Sequence, residues 1–161
     1  MCGIYAIYSK NANNNNIIEL KDGMKKLQHR GKDSYGIAMQ IQNNILSIKR
    51  KGEIKNSTLN NLKDTKCSSC VGHLRYSTSG HSSNLGKLMQ NEIQPLRGSK
   101  NNMHYALTHN GNIPNVKGHD TTYINNKLMN NSNNIESNLI DIMDEIPAAY
   151  SIVILINNNL Y

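Results

Sequence analysis

Cysteine stands at position 2, directly behind the initiator methionine. Methionine is readily trimmed ahead of a small residue, and trimming leaves one residue that carries both a thiol and an α-amino group. An unperturbed α-amino group titrates near ~8 and a thiol near ~8.5, so the amine can take the thiol proton close to neutral pH. Nucleophile and base are then one residue. A cysteine opening an apolar run is equally a small buried side chain, and Cys2 alone does not decide between the two. Further along, Asn110-Gly111 is either a turn or a pair of donors, one side-chain amide and one main-chain N–H, suited to an oxyanion. Arg75 offers a planar, permanently charged, two-pronged partner for a carboxylate, with a surface ion pair as its plain alternative. Asp120 precedes an apolar-periodic segment and can cap a helix, accept from a cation, or do both. Cys67 and Cys70 form a C-x-x-C pair. No second pair or histidine motif of fitting spacing completes a zinc site, and no thioredoxin-like context surrounds it. Two thiols in a serine-rich turn are therefore expected there, with no metal and no cofactor.

The elements that must position these groups follow from periodicity. Cys2 to Tyr8 is apolar and β-prone, which places Cys2 at a strand end. Ile17, Leu20, Met24 and Leu27 recur at three- and four-residue steps, predicting an amphipathic helix that closes before Gly31. Strands are predicted over Tyr35 to Gln42 and Ile45 to Arg50, turning at Asn43-Asn44. Another runs from Val71 to Tyr76, setting His73 and Arg75 on one face and Leu74 and Tyr76 on the other. His104 to His109 forms a strand that ends in Asn110-Gly111. Ile135, Leu139, Ile142, Met143 and Ile146 mark a second helical stripe, and Tyr150 to Ile156 a last apolar strand that enters a hairpin. Hairpins mixed with separate helices, without strict βαβ repetition, predict an α+β layered fold with mainly antiparallel sheets.

At 161 residues the chain suits one domain with its own core, read as 1–161. No apolar run approaches the roughly 20 residues that span a bilayer, and no secretory signal opens the sequence, so a cytoplasmic protein with no membrane partner is expected. An odd cysteine count without an export signal argues for reduced thiols. The formal charge of +7 and pI near 9.3 raise the question of nucleic acid. Yet the basic residues are scattered, and Lys49-Arg50-Lys51 reads as a solvated turn, so no nucleic-acid partner is expected. Asparagine tracts at 13–16, 130–134 and 157–159 read as a compositional bias laid over exposed positions.

Five segments then combine: MCGIYAIY at the start, LQHRGKDSYGIA over 27–38, GHLRYSTSG over 72–80, IQPL over 93–96 and LTHNGNIPN over 107–115. In this order they resemble class II glutamine amidotransferases, which are N-terminal nucleophile enzymes. Within that family they look most like the glutaminase domain of amidophosphoribosyltransferase, an enzyme of purine synthesis, rather than glucosamine-6-phosphate synthase or asparagine synthetase. The tail IPAAYSIVILINNNLY is similar to that domain's later hairpin. One such motif is a weak signal, and five in order along nearly the whole chain are a strong one.

The resemblance implies the four-layer αββα sandwich of N-terminal nucleophile hydrolases, here truncated. It implies that Cys2 hydrolyses glutamine to glutamate and ammonia through a thioester, with Asn110 and Gly111 holding the oxyanion. Arg75 is implied to bind the α-carboxylate and Asp120 the α-ammonium. Tyr76, Ser77 and Thr78 fall in a loop that closes over glutamine, and Arg30 supports the Cys2 end. His29, His73 and His109 are expected to be structural. The family usually carries a longer segment between the Asn-Gly turn and the aspartate, so residues are lost around Val116 to His119, although the remaining segment still reaches about 30 Å. With no phosphoribosyltransferase portion in the sequence, ammonia is expected to pass to a separate acceptor protein. A catalytically weak remnant that binds glutamine or a partner protein is the alternative, with a basic nucleic-acid-binding domain as a third reading.

Overall fold

The computed structural model describes residues 2–76, 92–100, 103–130 and 134–161. Strands β1 (Gly3–Asn13), β2 (Ser34–Ile41), β3 (Asn44–Lys51) and β4 (Cys67–Arg75) form a first sheet in the order β1-β4-β2-β3. Strands β5 (Leu96–Lys100), β6 (Met103–His109), β7 (Ile152–Ile156) and β8 (Asn159–Leu160) form a second in chain order. Every pairing is antiparallel.

Strand alternation sorts the side chains into layers. On β4, Cys70 and Leu74 pack with Ile17, Leu20 and Met24 of helix α1 (Asn15–Lys26), while Val71 faces the other way, into a cluster with Ala38, Ala106 and Leu155. That cluster is the contact between the two sheets. On β6 and β7, Tyr105, Leu107, Ile154 and Ile156 point outward to helices α2 (Asp120–Asn130) and α3 (Ile135–Glu145) through Ile124, Leu128 and Ile142. The layers are therefore helix, sheet, sheet, helix pair, which is the expected αββα sandwich. Each fully buried Leu or Ile in it contributes about 1.5–3 kcal/mol.

Several local expectations need correction. Cys67 and Cys70 do not sit in a turn: β4 begins at Cys67, and both thiols are buried as small apolar groups against α1. Their sulfurs interact, so that Cys67 is the more acidic of the two and Cys70 is held protonated by that contact and by burial. Among the described residues no cluster of three or more His, Cys, Asp or Glu is placed to hold a metal. Lys49-Arg50-Lys51 is the end of β3, not a turn. Lys49 is half-buried, and burial with the nearby Arg97 guanidinium lowers its ammonium to about 8.

The asparagines are not uniformly surface filler either. Asn16 is buried, accepting from Ser9 Oγ at 2.9 Å and donating to Cys67 O at 2.9 Å, which ties α1 to the first sheet. Asn13 and Asn134 accept backbone N–H groups at helix starts, from Asn16 at 3.0 Å and Ser137 at 2.8 Å. Asn157 and Asn158 adopt positive φ, 48° and 64°, in the two-residue turn between β7 and β8. No helix among the described residues is long and apolar enough to cross a membrane.

Candidate active site

The cleft lies where strands of both sheets end together. Gly3 pairs with Leu74, so Cys2 stands level with Arg75, and Ser34 pairs with Arg75 from the other side. In the second sheet β6 ends at His109, and Asn110 follows at once. Asn110 exchanges both backbone hydrogen bonds with Ser151, at 2.9 and 3.0 Å, and Asn112 N–H reaches Ala149 O at 3.2 Å. Neighbouring N–H groups alternate in direction along extended chain, so Gly111 N–H turns away from that pairing. A Cβ on Gly111 would lie 1.9 Å from Ala149 O and 2.6 Å from His109 Nε2, so only glycine lets the chain pass there.

Cys2, Arg75, Tyr76, Asn110, Gly111 and Asp120 all line one cleft of about 310 Å³. That is the low end of the volumes that hold small molecules. The Cys2 backbone N–H donates to Asn110 Oδ1 at 3.3 Å, which leaves the Asn110 amide N–H₂ as its donor toward the cleft. Arg30 lies outside the cleft lining and donates from Nε to Cys2 O at 3.1 Å, fixing the residue that carries the thiol. The Arg30 turn is held close to β4, since a Cβ on Gly31 would meet the Arg75 and Leu74 carbonyl carbons at 2.7 Å. His29 is exposed, with its ring on Lys26 O at 3.1 Å, away from the cleft. Ser77 and Thr78 lie outside the described residues.

Asp120 is drawn in by its own loop. With positive φ at Asn115 (65°) and Gly118 (105°), the short segment folds back until Asp120 Oδ2 accepts Ile113 N–H at 2.9 Å. Gln94 braces this arrangement, accepting His109 N–H on Oε1 and donating from Nε2 to Thr121 Oγ1 at 2.8 Å. The end of β6 and the start of α2 are thereby tied through one side chain. The IQPL segment stood out in the sequence without a role for its glutamine. A polar residue between apolar neighbours was the signal to be had.

Charge in the cleft is uneven. Burial lowers His73 to about 3, assisted by Arg75 and His109, and the nearby His109 backbone opposes this only weakly. Burial also lowers His109, against the opposing pull of Asp120. Both imidazoles are neutral at ordinary pH, so the fixed positive charge facing the cleft among the described residues is Arg75. Its Nη2 pairs with Glu92 Oε2 at 2.6 Å, and Glu92 Oε1 meets His119 Nε2 at 2.9 Å. Glu92 and His119 were not singled out by sequence reading. Such a surface can receive a small zwitterion, hold an oxyanion at Asn110 and Gly111, and present a thiol to it.

No protein-family model matches the chain. It is 32% identical over 183 residues to an amidophosphoribosyltransferase of Methanocaldococcus jannaschii, covering 99% of this chain and 36% of that protein. A Staphylococcus aureus amidophosphoribosyltransferase is 33% identical over 121 residues, covering 72% and 22% respectively. The chain spans about a third of the length of the archaeal relatives it matches over nearly its full extent. Among solved structures, an allosteric regulatory enzyme of purine biosynthesis superposes with a TM-score of 0.77 at 22% identity, covering 97% of this chain and 35% of that one. The Bacillus subtilis glutamine phosphoribosylpyrophosphate amidotransferase superposes with a TM-score of 0.73 at 22% identity, covering 96% and 35%.

Proposed function

As this chain is related along its length to amidophosphoribosyltransferases, and has the fold of their class II glutamine amidotransferase domain, we propose that it is one glutaminase domain hydrolysing glutamine through Cys2. The observation that carries this reading is the contact of the Cys2 nitrogen with Asn110 Oδ1 at 3.3 Å, in a cleft that also holds Arg75. Freed of Met1, that nitrogen becomes the base, and Asn110 already orients it.

In this mechanism Arg75 takes the α-carboxylate of glutamine and fixes the side-chain amide near Sγ. The thiol proton passes to the α-amine, and Sγ bonds to the amide carbon. The oxyanion is held by the Asn110 side-chain amide and Gly111 N–H. The protonated amine returns its proton to the amide nitrogen as the carbon–nitrogen bond breaks, releasing ammonia. Water then opens the thioester, giving glutamate and restoring the thiol. Arg30 keeps Cys2 in register throughout. Burial makes His73 and His109 poor proton acceptors, which favours the amine of Cys2 as the base. The released ammonia passes to an acceptor domain or protein.

The test combines mass spectrometry of the mature N-terminus with glutamate release from glutamine. Loss of Met1, covalent capture of a glutamine-analogue electrophile on residue 2, and turnover abolished in Cys2→Ala are expected. Retention of Met1 removes the base and overturns the mechanism. Glutamine binding without turnover in the Met1-free wild type selects the binding-only alternative.

A further inference from the structure

We propose that Glu92 is a second acceptor for the α-ammonium of glutamine, beside Asp120, an inference that rests on reading the cleft as a glutamine site. Arg75 and Glu92 touch through Nη2 and Oε2 at 2.6 Å, and both side chains are mostly buried, 12% and 16% exposed, in the cleft wall. They present a positive and a negative group side by side. The α-carboxylate and α-ammonium of an amino acid hang from the same carbon and present the opposite pair. Seating the carboxylate on Arg75 therefore brings the ammonium next to Glu92.

The acceptor count agrees. An ionised carboxylate offers about four acceptor sites. Glu92 spends one oxygen's contact on Arg75 and the other's on His119 Nε2 at 2.9 Å, which leaves capacity on both oxygens. Asp120 has already given Oδ2 to Ile113 N–H at 2.9 Å. An ammonium carries three donors and is costly to leave unpaired away from water, so a second carboxylate beside Asp120 improves its pairing. Glu92 does not block Arg75 in return, because guanidinium has five donors and the ion pair uses one nitrogen. His119 holds Glu92 from the loop that ends in Asp120, which keeps the two acceptors together.

Calorimetry on the Cys2→Ala chain separates the possibilities, using glutamine and 4-carbamoylbutanoate, the same molecule without its α-ammonium. Adding Glu92→Gln should weaken glutamine about tenfold, the scale of one charge-assisted hydrogen bond, and leave 4-carbamoylbutanoate within about twofold. Equal weakening of both ligands makes Glu92 a support for Arg75 only and overturns the proposal. Tighter glutamine binding makes it a competitor and also overturns it. Unchanged binding of both ligands, in a chain whose Cys2→Ala parent binds glutamine, removes this proposal alone. Failure of that parent to bind glutamine removes the reading of the cleft and this inference with it.

Discussion

Asn110 uses its side chain in two directions, and both bear on the chemical step. Its oxygen meets the Cys2 nitrogen, and its amide N–H₂ is free for charge that develops on the substrate. Asn110→Ala should therefore lower kcat by about a hundredfold or more with little change in KM, because the donor bond strengthens at the transition state. Arg75→Ala should do the reverse, raising KM about tenfold or more through loss of a charge-assisted contact present in the ground state. Steady-state glutamate release from both variants checks the split, and equal activity in wild type and both variants contradicts these roles. For Asp120 a single substitution separates the loop contact from the charge. Asp120→Asn keeps an oxygen for Ile113 N–H, so its urea midpoint should match wild type within error while KM for glutamine rises. A shifted midpoint with unchanged KM makes Asp120 a loop clamp and nothing more.

Element packing sets a different kind of constraint, well seen at Gly23 inside α1. Glycine costs a helix interior about 1 kcal/mol relative to alanine, so local propensity favours Gly23→Ala. A Cβ there would lie 2.4–2.6 Å from three atoms of the Tyr5 ring, because α1 packs directly on β1 at this point. Overpacking of this kind costs about 1–3 kcal/mol, which equals or exceeds the propensity gain. Gly23→Ala should thus destabilise the chain despite its better helix former, and a urea midpoint above that of wild type refutes the close packing. The helix itself was readable from Ile17, Leu20 and Met24, because burial of one face leaves a period in the sequence. Strand β5 left none: LRGSK alternates too little, and it is held as an edge strand by pairing to β6 alone. The start of β4 was hidden for a related reason, since Ser68 and Ser69 resemble a turn and it is pairing with β1 that makes that stretch a strand. Motif residues at the cleft were found because their types are unusual for their neighbours. Glu92 and Gln94 were not, because their importance lies in partners that are remote in sequence.

Joining two sheets through an apolar cluster that gives way to histidines makes the whole molecule sensitive to acid. Val71 and His73 project from β4 toward the second sheet, the first among Ala106 and Leu155 and the second at the cleft beside His109. His73 is fully buried with neither ring nitrogen hydrogen-bonded, so placing a proton on it carries a burial cost that the nearby His109 backbone offsets only weakly. Burial holds its folded-state value at about 3, against an unfolded value of 6.5. Above 6.5 neither state binds this proton, and the contribution to stability is complete and flat. As pH falls through 6.5 the unfolded chain takes the proton and the folded chain refuses it until about 3, so stability is lost across that window. One such group gives a slope of up to about 1.4 kcal/mol per pH unit, and His109, lowered in the same direction, adds to it. Between pH 6.5 and 5, before most carboxylates titrate, urea midpoints of the wild type should fall with pH. In His73→Gln, which keeps a polar side chain of similar reach without the titrating ring, the fall should be clearly shallower whatever the absolute stability of the variant. Parallel slopes in the two proteins mean that His73 accepts its proton in the folded state, and the neutral, tightly closed junction between the sheets is then wrong.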